Sequence, residues 1–223
     1  MNLHILKITF EGNKIKSREI PRVRGFIASK FPEYLELHNH VGDKSYQYGY
    51  PMVQYKTFNG TPGVIAINEA SSTLIKVFND IDQLDLKEEV IDIVERGFIV
   101  KKHEFGTTDS LISYRFVSPW VALNQKNFDI YQKADDTGKV DILKKILVGN
   151  IISMSKYLGY TVDKQLMTLI KMKPIAVNFK NKEMIGFTGE FMINFEIPDY
   201  LGLGKSVSRG FGTIMRVKEG AFK

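Results

Sequence analysis

The chain has 223 residues, and its 31 Lys and Arg against 25 Asp and Glu leave a formal charge of +6 at pH 7. This length suits one large domain or two small ones, and 43% hydrophobic with 25% charged residues is typical of a folded globular protein. Cysteine is absent, which excludes disulfides, thiolate metal sites and Cys-His catalysis. No apolar run approaches the ~20 residues of a membrane span and no signal peptide is recognisable, so we expect a cytoplasmic protein.

The first half of the chain alternates strand and helix signals. Residues 3–10 alternate apolar and polar side chains, which predicts a strand, and apolar residues at helical spacing predict a helix between Pro21 and Pro32. Two further strands are predicted at 46–57 and 63–67, separated by a turn.

A second helix is predicted after Ser71 and Ser72, which we expect to cap it, and residues 89–104 predict a last strand or hairpin. The resulting order is β, α, β, β, α, β. This is the ferredoxin-like topology, which the RNA recognition motif also uses.

The second half follows a similar plan without detectable sequence repetition. Gly106 to Ser110 have the composition of a linker, and apolar residues from 140 to 154 predict a long amphipathic helix ending near Gly159. We therefore predict an α+β protein with two tandem ferredoxin-like, RNA-recognition-motif-like βαββαβ domains, at 1–105 and 110–223. Strands of the second domain are predicted at 111–123, 173–180, 184–197 and 213–218.

A glycine-rich segment lies near the carboxyl terminus. Glycines let a backbone approach a ligand closely, and successive N–H groups make an anion-binding concavity that nearby cations strengthen. The segment matches neither a Walker loop, since Asp199 occupies the position of the first glycine, nor a dinucleotide fingerprint. A phosphate-contacting loop and a structural hairpin connection both remain open. The candidate phosphate-binding residues are Gly202, Gly204, Lys205, Ser208, Arg209, Gly210 and Gly212.

Histidine is scarce, yet two of the four histidines, His38 and His40, lie two residues apart and shortly before Lys44. They could supply a general base, a general acid and a cation, which is the set needed to cleave RNA through its own 2′-hydroxyl. A metal site is a competing interpretation, although the surrounding carboxylates are too few for a good ligand set. The third interpretation is a polar loop that has no catalytic or metal-binding role.

Charge is distributed unevenly along the chain. Residues 14–30 contain six cations and one acid, whereas residues 79–95 contain seven acids that would repel phosphate. We expect the basic segment, and Arg22 and Arg24 within it, to follow an RNA backbone, giving salt-dependent binding with little sequence information.

Together these features resemble the CRISPR-associated endoribonucleases that cut precursor repeat RNA into guide RNAs. The resemblance covers nearly the whole chain, and the order and spacing of its motifs are more specific than any one of them. The motifs are LHNH at 37–40, YPMVQYK at 50–56, FVSPWVALN at 116–124 and SRGFG at 208–212.

The resemblance implies metal-independent cleavage without a cofactor. In that family a histidine near the first helix acts as general acid or base, the 2′-hydroxyl attacks, and the products carry a 2′,3′-cyclic phosphate and a 5′-hydroxyl. His38 matches the family histidine and Lys44 the family lysine. Ala28 occupies the place of the tyrosine that many members have in the first helix, so either a tyrosine from elsewhere in the chain or His40 would substitute for it.

The resemblance also implies CRISPR repeat RNA as the partner and no membrane, and it leaves open a CRISPR effector complex and a homodimer. Some relatives bind repeat RNA without cutting it. A noncatalytic repeat-RNA binding protein and a ferredoxin-like structural subunit of an RNA–protein assembly are therefore the alternatives to an active endoribonuclease. The presence of His38 and Lys44 favours the enzyme.

Overall fold

The computed structural model describes residues 1–12, 14–38, 49–179 and 182–218. They form two compact units. The N-terminal unit comprises Asn2–His103 together with Ser208–Gly210, and the C-terminal unit comprises Met1, Glu104–Val207 and the chain from Phe211 onward.

The N-terminal unit contains a four-stranded antiparallel sheet and three helices. The strand order β2-β3-β1-β6 is that of a ferredoxin-like sheet, and β4 and β5 form a separate two-stranded sheet. The elements are β1 (Asn2–Glu11), α1 (Ile20–Lys30), α2 (Leu35–His38), β2 (Val53–Phe58), β3 (Thr61–Ile67), α3 (Ala70–Phe78), β4 (Gln83–Asp85), β5 (Val90–Asp92) and β6 (Glu95–Glu104).

The core of the N-terminal unit forms where the sequence pattern places it. Alternate residues of β1 such as Leu6 and Ile8 are fully buried, and they share one apolar cluster with Val23 and Ile27 of α1. Pro21 stands in the first turn of α1, where its missing N–H costs nothing. The predicted first strand and first helix are confirmed.

The predicted serine cap of α3 is wrong. The helix begins at Ala70 with Glu69 at its cap position, and the Ser72 hydroxyl donates to the Glu69 carbonyl instead. The cause lies in Asn68, whose left-handed backbone (φ 51°) ends β3 and starts the helix earlier than the two serines suggest.

The C-terminal unit contains a second antiparallel sheet, with the order β10-β7-β9-β8, and two helices. When the strands are numbered within this unit alone, their order is again that of a ferredoxin-like sheet. The place of the second crossover helix is taken by the glycine-rich segment, which contains only a 3-10 turn at Val207–Arg209. The elements are β7 (Gly106–Trp120), α4 (Gln125–Lys133), α5 (Asp136–Tyr157), β8 (Thr168–Phe179), β9 (Lys182–Glu196) and β10 (Ile214–Arg216).

The predicted linker at Gly106 to Ser110 is also wrong, because these residues belong to β7. Gly106 pairs with Glu196 and Thr107 with Phe195 across the sheet. The Tyr160 hydroxyl accepts a hydrogen bond from the Thr107 N–H at 2.9 Å. Pairing with β9 and the hydrogen bond to Tyr160 thus hold this segment in an extended conformation, although its composition is typical of a turn.

The predicted long helix is α5, which begins earlier than expected because the Asp135 carboxylate accepts from the Gly138 N–H at its first turn. Helix α4 was not predicted. Among the described residues, no helix is both long and apolar enough to cross a membrane.

Aromatic residues fill the C-terminal core. Phe116 stacks on Trp120 with ring centroids 5.2 Å apart, and Phe116 and Tyr114 both pack against Phe191. The Tyr114 hydroxyl donates to the Phe195 carbonyl at 3.2 Å and accepts from the Ile197 N–H at 2.9 Å. One buried hydroxyl therefore satisfies two backbone groups at the end of β9.

Tyr114→Phe should lower the free energy of unfolding of the C-terminal unit by about 1–3 kcal/mol, because it strands a buried N–H and a buried carbonyl. Tyr131→Phe is the matched control, since the buried Tyr131 packs against Phe187 and its hydroxyl has no hydrogen-bond partner among the described residues. Trp120, the only tryptophan, reports urea unfolding of this unit. Equal midpoints for the two variants would contradict the assignment.

Candidate nucleic-acid interface

His38 belongs to α2, and two side chains from other elements donate to backbone carbonyls of this helix. The Tyr55 hydroxyl, from β2, donates to the Leu37 carbonyl at 3.3 Å. Arg24, from α1, donates through Nη2 to the His38 carbonyl. The position of His38 is therefore fixed by α1 and β2 together.

The His38 imidazole is half-buried, with Nε2 3.4 Å from the Phe31 carbonyl oxygen. A carbonyl can only accept, so in this contact Nε2 is the donor. His40 and Lys44, the other predicted catalytic residues, lie outside the described residues.

Arg24 carries a positive charge in an unfavourable setting. Burial, and after it the positive charge of Arg209, lower the pKa of Arg24. Its Nε is buried without a hydrogen-bond partner, and no carboxylate pairs with Arg24 among the described residues. The positive charge of Arg209 acts on Arg24, and Arg24 has no carboxylate partner among the residues that the structure describes, so the two guanidinium groups form a site that can attract an anion.

Arg209 reaches this site because the tip of the glycine-rich segment packs within the N-terminal unit. A Cβ on Gly210, which has φ +88°, would lie 3.0 Å from Ile20 Cγ2 and 3.2 Å from the Tyr55 carbonyl oxygen. Only glycine allows this close approach in that conformation. The structure thus brings together Arg24 and Arg209, which the sequence offered as candidates 185 positions apart.

The remainder of the segment is tied into the C-terminal unit. The Leu203 N–H donates to the Gly212 carbonyl at 2.9 Å, and a Cβ on Gly212 would lie 1.9 Å from the Leu203 carbonyl oxygen. Lys205 donates through Nζ to the Leu123 carbonyl at 3.0 Å, and burial lowers its pKa. Gly202, which forms an antiparallel β-bridge with Thr213, and Gly204 also belong to the C-terminal unit.

Arg22, the other predicted RNA contact on α1, forms an ion pair with Glu88, with 2.6 Å between Nη2 and Oε1. The hydrogen bond and the charge of Glu88 raise the pKa of Arg22. Both side chains are exposed, so the pair is weak and exchangeable.

Sequence reasoning missed the role of Tyr55. The residue stood within the motif at 50–56, but nothing distinguished it from a core aromatic. In the structure Tyr55 is fully buried, and burial raises the pKa of its hydroxyl while Arg24 opposes that rise. The available signal was general: a buried tyrosine needs a partner for its hydroxyl.

Comparison with solved structures identifies the class of protein. A crystal structure of Cas6b is 39% identical, with a TM-score of 0.92, and the match covers 97% of this chain and all of that one. A crystal structure of the CRISPR RNA processing endoribonuclease Cas6b is 37% identical, with a TM-score of 0.81 and the same coverage. More distant structures, such as a type IV Cas6 crRNA endonuclease at 12% identity and a TM-score of 0.61, share the fold.

Family models match both halves of the chain. The Cas6b N-terminal domain matches residues 1–104 and the Cas6b C-terminal domain matches residues 106–217. The chain therefore belongs to the Cas6b family, as the resemblance in its motifs predicted. An uncharacterised protein of Methanocaldococcus jannaschii is 48% identical over 145 residues, which are 65% of this chain and 99% of that protein.

Removing either group that holds the end of α2 should loosen it. We expect Arg24→Met and Tyr55→Phe each to speed amide hydrogen exchange in a peptide covering residues 35–38, because each variant frees one carbonyl of the helix end. Mass spectrometry measures this exchange. Arg22→Met is the control, since Arg22 lies on the same helix but pairs with Glu88. Exchange that rises equally in all three variants would mean that these bonds do not hold α2.

Proposed function

We propose that the protein is an endoribonuclease that cleaves CRISPR precursor RNA within its repeats. The observation that carries the proposal is the hydrogen bond from Arg24 to the backbone carbonyl of His38, because the same guanidinium lies within the electrostatic influence of Arg209. A histidine and two cations thus belong to one unit. Membership of the Cas6b family, in which a solved relative is described as a CRISPR RNA processing endoribonuclease, supports the same substrate.

In the proposed reaction the RNA supplies the nucleophile. The 2′-oxygen attacks the adjacent phosphorus, its proton passes to a general base, and the bond from phosphorus to the 5′-oxygen breaks as a general acid protonates that oxygen. One product ends in a 2′,3′-cyclic phosphate and the other begins with a 5′-hydroxyl. His38 takes one proton-transfer role, and we assign the other to His40.

Charge that develops on the phosphate oxygens is stabilised by Arg24 and Arg209, with Lys44 as the third cation. Preorganised cations of this kind lower the barrier because the field is in place before the reaction begins. The proposed mechanism therefore needs no metal ion. Arg22 joins the phosphate contacts by exchanging Glu88 for RNA, and the glycine-rich residues Gly202 to Gly212, with Lys205 and Ser208, contact the backbone.

His38→Ala should reduce cleavage of a repeat RNA by about 10²–10⁴-fold, the usual contribution of a general acid or base. The substrate is transcribed from the CRISPR array of the source organism, and product is measured in EDTA on denaturing gels. His103→Ala is the control, because His103 lies on β6, outside the Arg24–Arg209 site. A repeat RNA with a single 2′-deoxy substitution at the scissile position should bind normally and remain uncut.

Three results would contradict parts of the proposal. Undiminished cleavage by His38→Ala would remove His38 from the chemistry. Loss of wild-type cleavage in EDTA would overturn the metal-free mechanism. Tight binding of repeat RNA by the wild-type protein without any product, even at high protein concentration, would make this chain a noncatalytic RNA-binding member of its family.

Arg209→Gln should weaken RNA binding and reduce the slope of log K against log salt concentration by about 0.7, the value for one phosphate contact on a single strand. Fluorescence anisotropy over a salt series measures both quantities. Arg216→Gln removes the same charge and is the control, because Arg216 pairs with Glu196 in the C-terminal unit. Equal slopes for the two variants would exclude a phosphate contact at Arg209.

A further inference from the structure

The hairpin of β8 and β9 extends beyond the sheet to which it belongs. Strand β7 accompanies β9 only as far as the pair Trp120 and Phe187, whereas β8 and β9 continue to pair through Asn178 and Glu183. We call this two-stranded extension, residues 175–179 and 182–186, the arm. The arm therefore has only two strands, and β7 does not pair with the β9 edge along it.

A groove lies between the arm and the start of α4. Its volume is about 530 Å³, within the range of roughly 300–1,000 Å³ that is typical of small-ligand sites. We call it the arm groove. Its apolar walls include Phe128 of α4 and Ile175 and Met184 of the arm, and polar atoms reach it from Gln125, Glu183 and Lys205.

Lysines accompany the arm groove. Lys171 and Lys173 are exposed on β8, which also supplies Ile175 to the groove. Lys205 adds a cation at the groove itself, where its Nζ is held by the Leu123 carbonyl. These cations favour a polyanionic ligand. A strand of RNA that passes along the arm would contact both the exposed lysines of β8 and Lys205.

The lining of the groove suits a nucleobase better than a purely apolar ligand. The half-buried Phe128 ring offers a flat surface on which a base can stack, and the aliphatic side chains of Ile175 and Met184 offer further apolar contact. The Glu183 carboxylate can only accept hydrogen bonds, so it selects base edges that carry an amino group. Cytosine, adenine and guanine have such an amino group, whereas uracil offers only its N3–H, which lies between two carbonyl oxygens that a carboxylate repels.

We propose that the arm groove binds one unpaired nucleotide of the RNA substrate, with its base against Phe128, its amino edge toward Glu183 and a neighbouring phosphate near Lys205. This inference rests on the proposed function for the identity of the ligand as RNA. It adds a base-reading site in the C-terminal unit to a reaction whose catalytic groups lie in the N-terminal unit.

The test uses hexaribouridine in which the third position carries U, C, A or G, since binding of this RNA requires no cleavage. Wild-type protein should bind the C, A or G oligonucleotides several-fold more tightly than the U oligonucleotide. Phe128→Leu, which keeps an apolar side chain but removes the ring, should weaken that binding by about 5- to 50-fold. Ile130→Ala, an exposed position on α4 outside the groove, is the control and should bind as wild type does.

Two further measurements locate the effect. Glu183→Gln should abolish the preference for an amino edge while binding of the U oligonucleotide stays within twofold of wild type. The ¹³C-methyl signal of Met184, assigned with Met184→Leu, should shift on titration with the C oligonucleotide, because a stacked base places its ring current over the groove.

An unmoved Met184 signal at saturating RNA, or equal affinities for Phe128→Leu and Ile130→Ala, would overturn the inference. Cleavage of repeat RNA by the wild-type protein would then still support the proposed function. Conversely, if the wild-type protein does not cleave repeat RNA but its Met184 signal shifts on titration, the arm groove stands as a nucleotide site and the proposed cleavage reaction is wrong.

Discussion

The burial of the Arg24 guanidinium is the constraint on which the candidate active site depends. A partly buried cation without a carboxylate partner, close to a second cation, raises the free energy of the folded chain. The His38 carbonyl offsets part of this cost by accepting from Nη2, but Nε remains without a partner. An anionic ligand would satisfy the remainder, which is why the proposed function assigns an RNA phosphate to Arg24.

The glycine-rich segment shows why a structural role and a functional role need not be alternatives. Gly212 is required because Leu203 approaches it so closely that no side chain fits, and this contact serves the fold of the C-terminal unit. Gly210 is required because it packs against Ile20 and the Tyr55 carbonyl, and this contact delivers Arg209 to Arg24. Neighbouring glycines in one sequence motif thus satisfy steric demands in two different units.

Local patterns predicted much of the fold. Alternation in β1 and the proline-bounded helix α1 are properties of short segments, and short-range rules describe them well. The turn-like residues at the start of β7 were misassigned, because their extended conformation depends on pairing with β9. Helix α4 was missed because it is short and mostly polar, with Phe128, Ile130 and Tyr131 as its only apolar residues.

The site was less accessible to sequence reasoning than the fold. His38, Arg24 and Arg209 could each be selected by residue type and motif, but their proximity depends on tertiary contacts that no local pattern encodes. Lys56 illustrates the same limit, since a lysine in a strand is ordinarily assigned to the solvent face. Here it is 1% exposed, and burial lowers its pKa to about 7. Burial of β2 on both faces places Tyr55 and Lys56 alike out of solvent.

The two proposed RNA contacts differ in what they can recognise. Arg24 and Arg209 present cations, which bind any phosphate and therefore fix position along the strand without reading it. Phe128 and Glu183 present a flat ring and an acceptor, which distinguish bases by their edges once a nucleotide is unpaired. If specificity resides in the arm groove, its residues can change to suit a different repeat while Arg24, Tyr55 and His38 stay the same. Cleavage chemistry and sequence preference would then be separable properties of this protein, each altered by substitutions in its own unit.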